Sequence, residues 1–346
     1  MNKENSSKLL PTVTIIIITW NVERTIEGVL KTIEMQDYPK KLVDILVVDG
    51  NSTDDTLKIL SKKRTIPLRV VQSEYPKDPE ACRGVGLRHA KGEIICFIDA
   101  DNYLPNKGWL RKMIKPFINH AEIVGTETIR FGYRRSDNYL NRYFALIGSA
   151  DPVGLYLGKA DKLSYISDKW SIYGNVIYSE KDYFLVTFST HQFPTLGSNG
   201  FCARRKLLLK AKSDPTNYFH IDVPLDLAVL GYSTYGVVRE TIIHDTATTL
   251  WSFITKRANY MKLHYQSRAA DRRYRVFDPS RTEDLVRIVL FIFFSLTFIQ
   301  PLYVSLKGYI KKPDPAWFIH PIFCFSIMSV YSYAVLKKLT FSYLNK

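Results

Sequence analysis

The sequence predicts an α/β protein with a mostly parallel sheet, helices on both of its faces, and a two-helix membrane hairpin at the C-terminus. Three observations predict it. Strands and helices alternate over residues 11–102, carboxylates gather where the strands end, and two long uncharged apolar runs follow near the chain end.

Val13-Thr-Ile-Ile-Ile-Ile18 is β-branched and apolar at nearly every position, the pattern of a parallel strand buried on both faces. Ile26, Val29, Leu30 and Ile33 then recur at i, i+3, i+4 and i+7, the apolar stripe of a helix. Ile45-Leu-Val-Val48 is a second strand, ending at Asp49, and Ser52 or Thr53 is placed to cap a helix running to about Lys63. Leu68–Val71 reads as a third strand. A helix over about Ala81–Ala90 closes at Gly92, and Ile94-Ile-Cys-Phe-Ile98 is a fourth strand. Ligands of such sheets collect at the carboxyl ends of the strands. The polar residues there are Thr19, Asn21, Glu23, Asp49 and the run Asp99-Ala-Asp101-Asn102, so they are expected to share one crevice. Gly84-Val-Gly86 lacks a third glycine and follows no strand, which excludes a dinucleotide fingerprint, and no Walker A loop is present.

Residues 103–200 carry weaker periodicity, with a Tyr-rich stretch from Arg130 to Phe193. Pattern returns at Gly197-Ser-Asn-Gly-Phe-Cys-Ala-Arg-Arg205 and at His220-Ile-Asp222-Val-Pro-Leu-Asp226. Ile288–Leu306 is 19 residues without a charge and Ala316–Leu336 is 21, each close to the roughly 20 that cross a hydrocarbon core. Pro301 and Pro321 leave room for a kinked or partly re-entrant hairpin. Lys256–Arg287 holds nine Lys or Arg against four Asp or Glu, and Lys337, Lys338 and Lys346 follow the second run. The positive-inside tendency then puts both chain ends in the cytosol and the loop with Lys307, Lys311 and Lys312 on the other side. The expected organisation is a cytosolic domain over 1–255, a basic membrane-proximal segment over 256–284, and a hairpin with a short tail over 285–346, in a multi-pass protein of the cell membrane.

The formal charge of +15 suits anionic lipid, phosphorylated small molecules or nucleic acid alike. Its clustering beside the apolar runs, with no recognition module, argues against nucleic acid. No signal peptide is visible, since residues 1–10 are polar and the Val13–Ile18 run is short and β-branched. Cys82, Cys96, Cys202 and Cys324 show no CxxC or zinc spacing. Cys96 and Cys324 lie in apolar runs, where buried reduced thiols are expected.

Thr14–Asn21 with Glu23, then Val47-Val-Asp-Gly-Asn-Ser-Thr-Asp54, then Ala81-Cys-Arg83 leading into Ala90–Asn102, resemble in order and spacing the family-two glycosyltransferases of the GT-A fold, over roughly residues 11–250. The resemblance implies transfer of a sugar from a nucleotide-sugar, a UDP-sugar by preference, with inversion at the sugar carbon. It implies that Asp99-Ala-Asp101 is the DxD motif, with Asp101 on Mn²⁺ or Mg²⁺ and Asp99 on the ribose or sharing the metal. Hard oxygen ligands suit those ions. It implies that Asp49 meets the nucleobase, although Gly50 stands where many relatives carry a second aspartate, and that Arg83 lies near the donor. Asp222 falls where relatives place the base that deprotonates the acceptor. The familiar Glu-Asp pair is absent, and Asp226 is the rival. His244 resembles the histidine that completes the metal shell in some relatives.

The expected partners are therefore a nucleotide-sugar donor, a lipid-linked or saccharide acceptor and membrane lipids. A polyprenyl-phosphate acceptor, already ionised, would need no base. A non-catalytic nucleotide-sugar or lipid-binding membrane protein is the reading from another class, against which Asp99, Asp101 and Asp222 speak.

Overall fold

A computed structural model of the chain describes residues 10–246, 249–261 and 272–344. Part of the basic segment over 256–284 thus lies outside the described residues. The chain packs as two units. The first comprises Met1–Ile129, Gly174–His191 and Leu196–Ile242, and the second Arg130–Tyr173, Gln192–Thr195 and Ile243–Lys346.

The first unit holds a ten-stranded sheet, all but the last two residues of two of its strands. Its strands are β1 (Val13–Thr19), β2 (Val43–Asp49), β3 (Leu68–Gln72), β4 (Ile94–Phe97), β5 (Asn102–Tyr103), β6 (Gly125–Phe131), β7 (Asn175–Ser179), β8 (Tyr183–Thr187), β9 (Phe201–Arg204) and β10 (Thr234–His244). The order is β3-β2-β1-β4-β9-β6-β10-β8-β7, with β5 paired to β10. The four strands legible in the sequence form the parallel half, joined by helices α1 (Ile26–Glu34), α2 (Thr56–Leu60) and α3 (Pro79–His89). Beyond β4 the sheet is mixed, because β9 enters antiparallel between β4 and β6, and β8 pairs antiparallel with both β10 and β7. The helices α4 (Trp109–Asn119), α7 (Arg205–Leu208) and α8 (Asp222–Val229) complete this unit.

Two local expectations are corrected here. Neither Ser52 nor Thr53 caps α2. Asp55 holds the cap position, because Ser52 turns back to Asp49 and the Thr53 amide donates to Asn21. Cys96, expected as a reduced thiol, is bridged to Cys202, which the antiparallel register sets directly opposite it. Cys82 and Cys324 are free and buried. Helix α3 starts where its capping chemistry puts it, with the Asp78 carboxylate accepting from the amides of Glu80 and Ala81 and Pro79 at its first position.

The second unit holds α5 (Tyr139–Ile147), α6 (Pro152–Tyr156), α9 (Leu250–Tyr260), α10 (Thr282–Thr297), α11 (Ile299–Lys311) and α12 (His320–Leu344). Its core joins Tyr143 and Phe144 of α5 and Phe253 of α9 to Phe291, Trp317, Phe323 and Ile327 from the C-terminal helices. The first apolar run is not one helix. Phe298 sits in the left-handed region at φ +60°, and α10 and α11 meet there at 82°. Among the described residues one helix, Pro315–Lys337, is long and apolar enough to cross a membrane, or two segments if the bent pair counts as one.

Candidate functional site

The first four strands bring most of the expected residues to one edge of the first unit. Parallel register sets Thr19 opposite Asp49, and the threonine hydroxyl donates to the Asp49 carboxylate at 2.8 Å. Asp49 has no exposed surface. Its oxygens also accept from the Ser52 amide (2.9 Å), the Ser52 hydroxyl (2.6 Å) and the Gln72 amide (3.3 Å). Its geometry is that of a loop organiser, closing the turn after β2 onto the end of β1.

Asn21 and Glu23 staple the same two loops from the other side. The Asn21 side-chain Oδ1 accepts from the Thr53 backbone amide at 2.8 Å, and the Asn21 backbone amide donates to the Ser52 hydroxyl at 3.0 Å. Glu23 accepts from the Asp55 amide at 2.8 Å and donates its amide to Asp54 at 3.1 Å. Burial works against the charge of Asp54, but hydrogen bonds from Thr56 and Glu23 hold its pKa below the usual carboxylate value. Asn21, Asn51 and Asn199 all take positive φ, the region asparagine tolerates better than most residues. The site is thus framed by tight turns whose backbone is held by side chains.

Asp99 and Asp101 follow β4. Arg83, buried on α3, donates to Asp99 at 2.5 Å and to Glu80 at 3.0 Å. Glu80 in turn accepts from the backbone amide of His220 at 2.9 Å and pairs with its Nδ1 at 2.8 Å. Burial alone would raise the Glu80 pKa, yet His220 and then Arg83 outweigh it and hold the carboxyl far below its ordinary range. The chain His220–Glu80–Arg83–Asp99 thus ties the segment before α8 to the end of β4. Asn102 strengthens that end, its side-chain oxygen accepting from the Asp99 amide at 3.1 Å and its amide donating to Asn199 at 3.2 Å.

Asp222 opens α8 and is buried, with 1% of its surface exposed. The rival Asp226 lies half-buried on the helix face and accepts from the Lys212 amide at 3.2 Å, a structural contact. His244 ends β10 in the second unit, its ring 5.4 Å from that of Phe131. The sequence did not single out Ser52, Gln72, Glu80 or His220 as site residues. Of these only Glu80 carried a local signal, three residues before Arg83 on a helix.

Among the described residues no group of three or more His, Cys, Asp and Glu side chains is placed to hold a metal unaided. Asp99 and Asp101 nevertheless present hard carboxylate oxygens two residues apart at a strand end. A small divalent cation bound through one or two carboxylates, with substrate phosphates and water completing its shell, asks no more of the protein. The donor set fits Mg²⁺ or Mn²⁺ on those terms.

The fold is the GT-A fold. It is similar to the solved mannosyltransferase PcManGT from Pyrobaculum calidifontis, at a TM-score of 0.52 and 15% identity over 93% of this chain and 87% of that one, a structure that contains GDP-Man and Mn²⁺. Residues 14–187 match glycosyl transferase family 2, half of the chain, and the protein belongs to that family. Similar curated proteins include the Escherichia coli UDP-Glc:alpha-D-GlcNAc-diphosphoundecaprenol beta-1,3-glucosyltransferase WfaP, 31% identical over 39% of this chain. Another is the poly(ribitol-phosphate) beta-N-acetylglucosaminyltransferase TarS of Staphylococcus aureus strain Mu50, 39% identical over 28% of this chain. The aligned parts span 49% of WfaP and 17% of TarS, less than two thirds of either.

Proposed function

We propose that the protein is a metal-dependent, inverting glycosyltransferase that moves a sugar from a nucleotide-sugar, by preference a UDP-sugar, to a hydroxyl of a lipid-linked or saccharide acceptor at a membrane face. The observation that carries this reading is the Asp99–Asp101 turn, with Asp99 fixed by buried Arg83. That turn follows β4, the strand beside β1, and β1 ends at Thr19 opposite Asp49, the last residue of β2. The activities for which WfaP and TarS are named support a nucleotide-sugar donor and an acceptor carried on lipid or polymer.

Each residue has a task in this reading. Asp99 and Asp101 would hold the cation, which when bound neutralises charge growing on the departing diphosphate. Arg83 keeps the Asp99 carboxylate in one orientation. Thr19, Asp49, Asn21 and Glu23 hold the two loops beside which the nucleoside would lie, so Asp49 acts through the loop it shapes. Asp222 would take the acceptor proton as the hydroxyl oxygen attacks, giving inversion by a single in-line displacement. His244 as a further metal ligand rests on the family resemblance alone. Exposed apolar faces on α10, α11 and α12 support residence at a membrane.

The test is release of UDP or GDP from a panel of UDP- and GDP-sugars by the whole chain in lipid, with N-acetylglucosaminyl-diphosphoundecaprenol as acceptor. Acceptor-dependent release from at least one donor, absent in Asp101→Ala, is expected. A folded wild-type chain that binds no nucleotide-sugar of the panel would falsify the reading.

A further inference from the structure

We infer that the C-terminal helices do not cross the membrane but lie in one leaflet, so that the turn between α11 and α12 stays on the same side as the rest of the chain. The inference rests on the membrane residence proposed for this protein and replaces the crossing hairpin expected from hydropathy.

Length is the first observation. At about 1.5 Å per residue, α10 (16 residues) and α11 (13 residues) reach about 24 and 20 Å, against a hydrocarbon core of about 30 Å. The 82° bend at Phe298 prevents them from acting as one span. Helix α11 is also bound tightly to the turn that leads into α12. Pro301, Ser305 and Gly308 form the buried face of α11, Trp317 packs where any Cβ on Gly308 would stand, and the Ser305 hydroxyl donates to the Trp317 carbonyl at 2.8 Å.

The second observation concerns the turn and α12. Asp314 pairs with Arg142 at 3.0 Å and accepts from the Tyr133 hydroxyl at 2.6 Å. Lys312 lies 4.2 and 4.1 Å from the ring centres of Tyr133 and Tyr165, and Lys311 pairs with Asp168. Seventeen residues further on, Tyr331 donates to Asp151 at 2.8 Å and accepts from Arg257 at 2.7 Å. Those contacts sit roughly 26 Å apart along the helix. Carrying α12 through a bilayer would therefore drag Arg142, Asp151 and Arg257 into hydrocarbon, where charges are costly.

The third observation points to the occupant. Val289, Phe293 and Leu296 fall at i, i+4 and i+7 on α10 and are more than half exposed, as are Ile299 and Ile310 on α11. Tyr303 of α11 is 60% exposed, and tyrosine favours the headgroup level. Residues 272–312 carry eight Arg or Lys against three Asp or Glu, and Lys307 is exposed beside this apolar face. An apolar face with a basic border fits an anionic leaflet, in the manner of helices lying in the interface plane.

The experiment uses the full chain translated cell-free with sealed phosphatidylethanolamine–phosphatidylglycerol vesicles. Lys311→Cys, and separately Pro313→Cys in the same turn, are compared with Lys58→Cys on exposed α2 by labelling with a membrane-impermeant maleimide. Vesicle flotation is expected at low and high salt, with both turn positions labelled as fully as Lys58→Cys before detergent. Phe293→Asp combined with Ile310→Asp should cut the floated fraction at least tenfold. Turn cysteines that react only after detergent, while Lys58→Cys reacts before it, would show a crossing hairpin and overturn the inference. A chain that fails to float and elutes as a defined dimer would overturn it too, assigning the apolar face to a second copy. Neither readout depends on sugar transfer.

Discussion

Glu80→Gln removes one negative charge from the centre of the His220–Glu80–Arg83–Asp99 chain while keeping the shape of the side chain. Glu80 is 1% exposed and 3.0 Å from the Arg83 guanidinium. At that separation and an effective dielectric of about 20, the attraction is about 5.5 kcal/mol. Desolvation of both groups offsets much of it, yet removing one partner of a buried pair leaves the other uncompensated, at about 3–5 kcal/mol. Arg83 keeps Asp99, and the substituted amide can still accept from the His220 backbone N–H, so the expected loss lies at the lower end, about 3 kcal/mol. Urea denaturation followed by tryptophan fluorescence measures it, since Trp109 of the same unit is fully buried. The sign with pH is set by the depressed Glu80 pKa. Its stabilisation is complete above the unfolded carboxyl value of about 4.3 and is lost as pH falls through the folded value. The gap between wild type and variant should therefore be widest near neutrality and narrow below about pH 4. A gap under about 1 kcal/mol at pH 7, or one unchanged down to about pH 3, would refute the buried-network argument.

Chelation should abolish transfer by the wild type and added Mn²⁺ or Mg²⁺ should restore it, while Asp101→Ala stays inactive at any metal concentration with its melting curve unchanged. Asp222→Asn should lower turnover by about 10²–10⁴-fold with donor affinity retained. Near-wild-type turnover would remove Asp222 as the base and favour an acceptor already ionised. Gly308→Ala places a methyl against Trp317 and should destabilise the C-terminal helices by about 1–3 kcal/mol. Limited proteolysis checks this, and unchanged protection would mean that α11 shifts freely.

The parallel half of the fold was legible because its information is local. Four β-branched runs and the apolar stripe of α1 report strands and helices through periods of two and 3.6, and Asp99 and Asp101 sit at a strand end by counting alone. The order of motifs named residues from Thr19 to Asp222 that lie in the first unit, and His244, which lies in the second. Tertiary packing decided the rest. The pairing of Cys96 with Cys202 depends on β9 entering antiparallel beside β4, a contact across 106 residues. The use of Asp49 depends on Ser52 and Gln72 closing over it, and the tie from His220 to Asp99 depends on α3 lying between them. Hydropathy measured two runs of spanning length, because it counts charges along the chain and not across space. Only the folded chain shows that Arg142, Asp151 and Arg257 lie against α12 and its turn, where a bilayer would otherwise have to be.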